Sequence, residues 1–150
     1  MGVTIEDEGS PEPKWSRLEK IDLREVTKTM NADPNLGNGS NYWVKETHRR
    51  PFERPAELPL WRIVVAVQEG WLSAKATGDH PLSFTVGFFA HHAIADGISA
   101  GVFHLTFLNS LNGIIGGKVS ILPDANQAAI IAVPKLPLIP NLEKLHFPSQ

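Results

Sequence analysis

Between Pro81 and Gly117 the sequence carries one charged side chain, Asp96. A stretch this apolar needs other protein to cover it, and a carboxylate inside it needs partners, because burying an unpaired charge is costly. It is not expected to span a membrane. His91, His92, Asp96, His104, Asn109 and Asn112 interrupt it before the roughly 20 apolar residues of a bilayer-crossing helix accumulate. Charge is concentrated ahead of it, where residues 1–62 hold 21 of the 30 charged side chains. Fourteen basic and sixteen acidic groups leave a net charge of -2. That balance lacks the clustered basic excess that nucleic-acid phosphates require, so no nucleic-acid partner is expected. The 150 residues suit one ordinary domain. The absence of cysteine excludes disulfide frameworks, thiolate catalysis and cysteine-based metal sites. The acidic first ten residues lack the apolar core of a secretory signal, and Glu6 stands where a myristoylation site has Ser or Thr. A cytoplasmic location is expected.

Along the chain, residues 1–14 carry three glutamates and two prolines and read as a loose segment. The alternation of Leu18, Ile21 and Leu23 predicts one strand within residues 15–26. Residues 31–41 form a turn-rich loop, after which Ser40 or Asn41 caps a short helix that Pro51 ends. Arg49, Arg50 and Arg54 there read as a solvated helix end. Residues 60–68 are rich in Val and Ile and predict a buried strand, and residues 82–90 predict a second. Gly87 in the second marks a bulge or a close approach. The irregular connection over residues 70–81 makes an antiparallel pair the simplest arrangement.

After the polar loop, Ile98, Val102, Leu105 and Leu108 share a helical face that Phe103 and Phe107 widen. This predicts a helix over residues 98–111, buried on much of its surface and stopped by Asn112-Gly113. Pro134, Pro137 and Pro140 recur every third residue, which favours extended polyproline II and reads as a linker rather than a ligand for an SH3-type domain. The expected organisation is thus a partial domain over 15–122 followed by a Pro-rich, interdomain-type linker over 123–150.

The segment His91-His92-Ala93-Ile94-Ala95-Asp96-Gly97 joins the second strand to that helix, and three chemistries compete for it. As a metal site it is poor: adjacent histidines at a strand end point to opposite faces, and His92 with Asp96 would need a distant third ligand. As a serine-nucleophile site, Gly97-Ile98-Ser99-Ala100-Gly101 matches G-x-S-x-G, with Asp124 and His146 following in hydrolase order. The strand, however, ends about nine residues before Ser99, whereas a nucleophile elbow turns directly from strand into helix. As a general base, a histidine on a tight loop takes a proton from a hydroxyl or amine while one ring nitrogen is fixed and the other faces substrate. Asp96 then braces the loop, and Arg62 on the preceding strand is its expected cation.

HHAIADG matches the HHxxxDG signature of the CoA-dependent acyltransferase superfamily, to which chloramphenicol acetyltransferase, peptide-synthetase condensation domains and plant acyltransferases belong. Pro59-Leu60-Trp61-Arg62-Ile63-Val64 resembles a strand of its fungal alcohol acetyltransferase-like and condensation-domain branch. Pro51-Phe52-Glu53, with the arginine before it, resembles the segment preceding that strand, and Phe103-His104 and residues 108–112 resemble the helix that follows the motif. The resemblance implies an α+β, chloramphenicol acetyltransferase-like half-domain with a mixed or antiparallel sheet flanked by helices.

It also implies that His92 is the general base, that Asp96 pairs with an arginine and shapes the loop, that Gly97 keeps the backbone clear of the substrate channel, and that His91 packs or hydrogen-bonds beside them. The reaction implied moves an acyl group from acetyl-CoA, another acyl-CoA or a carrier-protein thioester to a small-molecule alcohol or amine, with no permanently bound cofactor and no metal. The oxyanion donor is Ser99 or a residue outside this chain. The chain corresponds to most of the first half of such an enzyme and the start of its linker, so a catalytically inactive piece that self-associates through exposed apolar surface is the competing expectation.

Overall fold

The computed structural model describes residues 2–32, 40–68, 84–118 and 129–134. Its centre is β5 (Trp61–Gln68), the Val- and Ile-rich segment expected to be a strand. On one side β5 pairs antiparallel with β6 (Phe84–Ala90), from Trp61 opposite Ala90 to Val67 opposite Phe84. On the other it pairs in parallel with β4 (Thr27–Ala32), from Thr27 opposite Ile63 to Ala32 opposite Gln68. The result is a mixed sheet in the order β4-β5-β6. Two antiparallel pairs accompany it: β1 (Val3–Glu6) with β2 (Lys14–Arg17), and β3 (Lys20–Asp22) with β7 (Ile130–Ala132). The helices are a single turn, α1 (Leu23–Val26), and two longer ones, α2 (Ser40–Arg49) and α3 (Gly97–Ile115). The α+β class follows directly.

Strand periodicity divides the packing, because successive residues of β5 face opposite sides of the sheet. Val64 and Ala66 face α2 and enclose Trp43, with Met30 and Phe89 at the margin. The Trp43 and Phe89 rings meet edge-on with centroids 6.0 Å apart. Gly87 lies opposite Val64 in an unbroken register, so it marks a close approach and not a bulge. A Cβ there would stand 2.8 Å from the Trp43 ring and 2.7 Å from Phe89. The other face carries Trp61 with Ile21 and Val26, flanked by Leu18, Ile63, Phe88 and Ile94.

Several local expectations give way to long-range pairing. The segment read as loose contains β1, because Ile5 N–H donates to the Pro55 carbonyl at 2.9 Å, Leu60 N–H to that of Val3 at 3.3 Å, and Thr4 is buried. The single strand expected over 15–26 is β2, β3 and α1. Asp22 accepts from Arg24 N–H at 3.0 Å and caps that helical turn. The region read as linker contributes β7, whose Ile130 lies opposite Asp22. Pro137, Pro140 and the loop expected over 70–81 lie outside the described residues.

Helix α3 runs past Asn112-Gly113 to Ile115. An internal glycine costs only about 1 kcal/mol, and the stop is a Schellman motif two turns' worth of bonds can close. Lys118 N–H donates to the Gly113 carbonyl at 2.8 Å and Gly117 N–H to that of Ile114 at 3.0 Å, with Gly117 at φ 67°. The helix is not buried as expected. Phe103 stacks on Phe88 at 4.2 Å between centroids, but no residue of α3 is enclosed, and Ile98, Leu105 and Ile115 are 77%, 62% and 75% exposed. The described residues supply a sheet on one side of α3 and no layer on the other. By length and composition alone α3 would also reach across a bilayer, although it carries His104, Asn109 and Asn112 and rests on β6 through Phe103.

Candidate active site

The HHAIADG loop is fixed at both ends by backbone geometry. At the strand end, His91 N–H donates to the Leu60 carbonyl at 2.8 Å, tying the loop to the start of β5. The His91 carbonyl accepts from Ile94 N–H at 3.0 Å, and its Nδ1 accepts from Ala93 N–H at 3.1 Å, which tightens the turn. Its ring meets Phe52 edge-on at 6.2 Å. His91 is therefore a structural neighbour that reads the turn beneath it.

His92 is exposed, and its Nδ1 lies 3.1 Å from the Ala95 carbonyl. A carbonyl only accepts, so this contact makes Nδ1 the protonated nitrogen and leaves the Nε2 lone pair unengaged among the described residues. The loop thus favours the Nδ1-protonated tautomer of His92. Asp96 caps α3: its Oδ1 accepts from Ser99 N–H and from the Ser99 hydroxyl, both at 2.8 Å. These bonds, the backbone one first, hold the Asp96 carboxyl below the usual carboxylate range. Gly97 opens the helix, and a Cβ there would meet no heavy atom within 4 Å.

Two expectations change. Arg62 is not the cation of Asp96. Its guanidinium donates to the carbonyls of Pro51 at 3.0 Å, Arg50 at 2.6 Å and Thr47. Phe52 lies against the guanidinium carbon, 4.8 Å from the ring centroid. The physical reason is the end of α2, whose last carbonyls lack intrahelical partners and carry the negative end of the helix dipole. Arg62 leaves β5 on the α2 side and meets them first, while Ser99 serves Asp96. Burial lowers the Arg62 pKa from its usual value. Ser99, in turn, occupies the first turn of α3 with its hydroxyl on Asp96 rather than a strand-to-helix elbow. Asp124 and His146 lie outside the described residues. Among the described residues no three potential metal ligands converge.

His91, His92, Asp96 and Gly97 come together on a cleft of about 820 Å³ bounded by α2, β6, the loop and α3. Arg62 lines it too, although it does not touch Asp96. His48, Arg50, Phe52 and His104 were not among the expected site residues, yet all four line it. For His104 a signal existed: Gly97, Ala100 and His104 fall at i, i+3 and i+7, one side of a helix, and all three face the cleft. For Arg50 there was none, because the helix end looked solvated until Arg62 was seen to occupy its carbonyls.

No family model matches the chain, and no solved structure does. One curated protein gives the deciding observation: a probable alcohol acetyltransferase, crmB, of Aspergillus fumigatus is 31% identical over 149 residues, covering 93% of this chain. The chain is similar to a fungal alcohol acetyltransferase. It spans 29% of that relative's length, so the relative also contains much that this chain does not.

Proposed function

We propose that the chain carries the general-base portion of an O-acyltransferase that moves an acyl group from a thioester, acetyl-CoA or another acyl-CoA, to a small alcohol. One observation carries this: His92 sits on a sizeable cleft with Nδ1–H bonded to the Ala95 carbonyl and Nε2 unengaged among the described residues. In the reaction, the acceptor hydroxyl gives its proton to Nε2 as its oxygen attacks the thioester carbonyl. The tetrahedral intermediate then expels the thiolate, which recovers the proton from the imidazolium as free thiol. The thioester supplies the activation, so no covalent enzyme intermediate is required. The single hydroxyl proton of Ser99 is donated to Asp96, so the oxyanion donor in this scheme is another group. The likeness to a probable alcohol acetyltransferase supports an alcohol as acceptor.

The test is release of free thiol from acetyl-CoA, followed colorimetrically with a panel of short and long alcohols. The protein has no cysteine to contribute background. Release that requires both an alcohol and His92, and is lost by at least 100-fold in His92→Ala, is expected, on the order of what a positioned base contributes. Release indifferent to His92→Ala contradicts the assignment.

The bare apolar side of α3 favours a second reading, a non-catalytic role in association. Light scattering separates the two: concentration-dependent association with no thiol release supports the second, and a monomer that releases thiol supports the first.

A further inference from the structure

The arginines at the end of α2 and just beyond it differ in how their charge is met. Arg49 pairs with Glu46 at 3.7 Å, and Arg54 pairs with Glu25 at 2.5 Å and Glu57 at 3.4 Å. The Arg50 side chain has neither an ion pair nor a hydrogen bond among the described residues, and it alone of the three lines the cleft. A solvated helix end would leave Arg50 free to serve the last carbonyls of α2, but Arg62 already holds them. Arg62 is solvated by those carbonyls without being neutralised, and its buried Nε has no partner among the described residues.

Among the described residues the charge of Arg50 opposes that of Arg62 and Glu53 favours it, and Glu53 also pairs with Lys28 at 3.5 Å. His48 lines the same wall. The carboxylate across the cleft, Asp96, is engaged by Ser99. One wall of the cleft therefore carries positive charge that no ion pair among the described residues neutralises, beside the apolar surfaces of Val44, Phe52 and Phe89.

We propose that this wall, built on Arg50 and Arg62, binds an anionic group of the substrate, a phosphate or a carboxylate, while His92 addresses the reacting hydroxyl. The inference rests on the acyl-transfer reading of the cleft. Two sources supply such a group: the nucleotide phosphates of a CoA thioester, or a carboxylate on the acceptor. An arginine fork suits either, through charge-assisted hydrogen bonds. Arg62 holds the wall in shape, and Arg50 supplies the free donors.

Calorimetric titration of the whole chain at low ionic strength tests this with two matched pairs. CoA is compared with pantetheine, which lacks the nucleotide phosphates, and a hydroxy acid with the corresponding plain alcohol. In at least one pair the anionic member should bind about tenfold or more tightly than its neutral counterpart, as one lost charge-assisted contact implies. Arg50→Ala should erase that preference, and Arg54→Ala, which removes an equal but paired charge, should keep it. A preference for CoA assigns the wall to the donor's phosphates, and a preference for the hydroxy acid assigns it to an acceptor carboxylate. The proposal is overturned if neither anionic probe outbinds its neutral partner, or if Arg54→Ala weakens binding as much as Arg50→Ala. His92→Ala should leave the preference intact, so failure of the acyl-transfer reading, seen as thiol release indifferent to His92, is distinguishable from failure of this one.

Discussion

Helix α2 has ten residues, seven of them polar or charged besides Tyr42, yet its Trp43 is only 4% exposed between Val64, Ala66, Met30 and Phe89. Helix α3 has nineteen residues without a charge, and none of them is buried. Both pack against β6, so the difference lies in the seat each is given. Gly87 clears room for the Trp43 ring, and Arg62 collects the carbonyls at the end of α2. Helix α3 is defined at its ends, by Asp96 and by the Gly116-Gly117 turn, and among the described residues one aromatic stack, Phe103 on Phe88, ties its length to β6. Apolar composition makes a helix eager for a partner, but it takes a shaped site and a matched polar contact to fix where the helix lies.

The sharpest way to break this comparison is Trp43→Ala, which empties the seat of α2. A loss of about 3–5 kcal/mol is expected by chemical denaturation, and a loss below 1 kcal/mol would mean that the α2 face is not a core. Arg62→Met comes next. It keeps the stem and removes donors to the carbonyls of α2, at a cost of about 2–3 kcal/mol, with helical signal falling in step. Asp96→Asn should leave that helical signal at α2 unchanged, because the two residues are not partners. If the two variants shared one phenotype and were non-additive when combined, the separation of Arg62 from Asp96 would be wrong.

Smaller effects probe α3. Asp96 has its pKa lowered in the folded state, so its contribution is present above the unfolded carboxylate value and disappears as pH falls through the folded one. The melting-temperature gap between the native protein and Asp96→Asn should therefore be open at neutral pH and close in acid. Asp22, held at about 2 by Arg24, sets the same direction for its own variant. At the bottom of the scale, Leu105→Ser on the bare side of α3 should change monomer stability by no more than about 0.5 kcal/mol. A loss of several kcal/mol there would show that α3 has a covering layer.

How much of this was legible in the sequence follows the same division. Strands β5 and β6, their antiparallel pairing and helix α2 could be read because Val and Ile runs and Pro51 act locally. Strand β7 could not, since its partner β3 lies more than a hundred residues away in sequence, and β1, although it pairs with nearby β2, is anchored by backbone bonds to Pro55 and Leu60 some fifty residues on, which local composition does not announce. At the site, the position of the histidine turn between strand and helix was legible, and Asp96 is found capping α3. Its partner was misread because a charge was sought where a helix cap was available. Ser99, three residues on, is the commonest kind of cap contact and needed no cation. The cleft's other wall escaped notice because Arg62 gives it its form through backbone carbonyls, which carry no side-chain signature.

The central claim is that the loop holds His92 in one tautomer, with Nδ1 protonated toward Ala95 and Nε2 free to accept a proton. Nitrogen-15 NMR of the ring, recorded with the imidazole neutral and assigned by comparison with His92→Ala, reports this directly. The expected spectrum has Nδ1 as the proton-bearing nitrogen and Nε2 with the shift of an unprotonated one. A neutral ring that instead carries its proton on Nε2 would contradict the hydrogen bond to Ala95 and, with it, the general-base assignment.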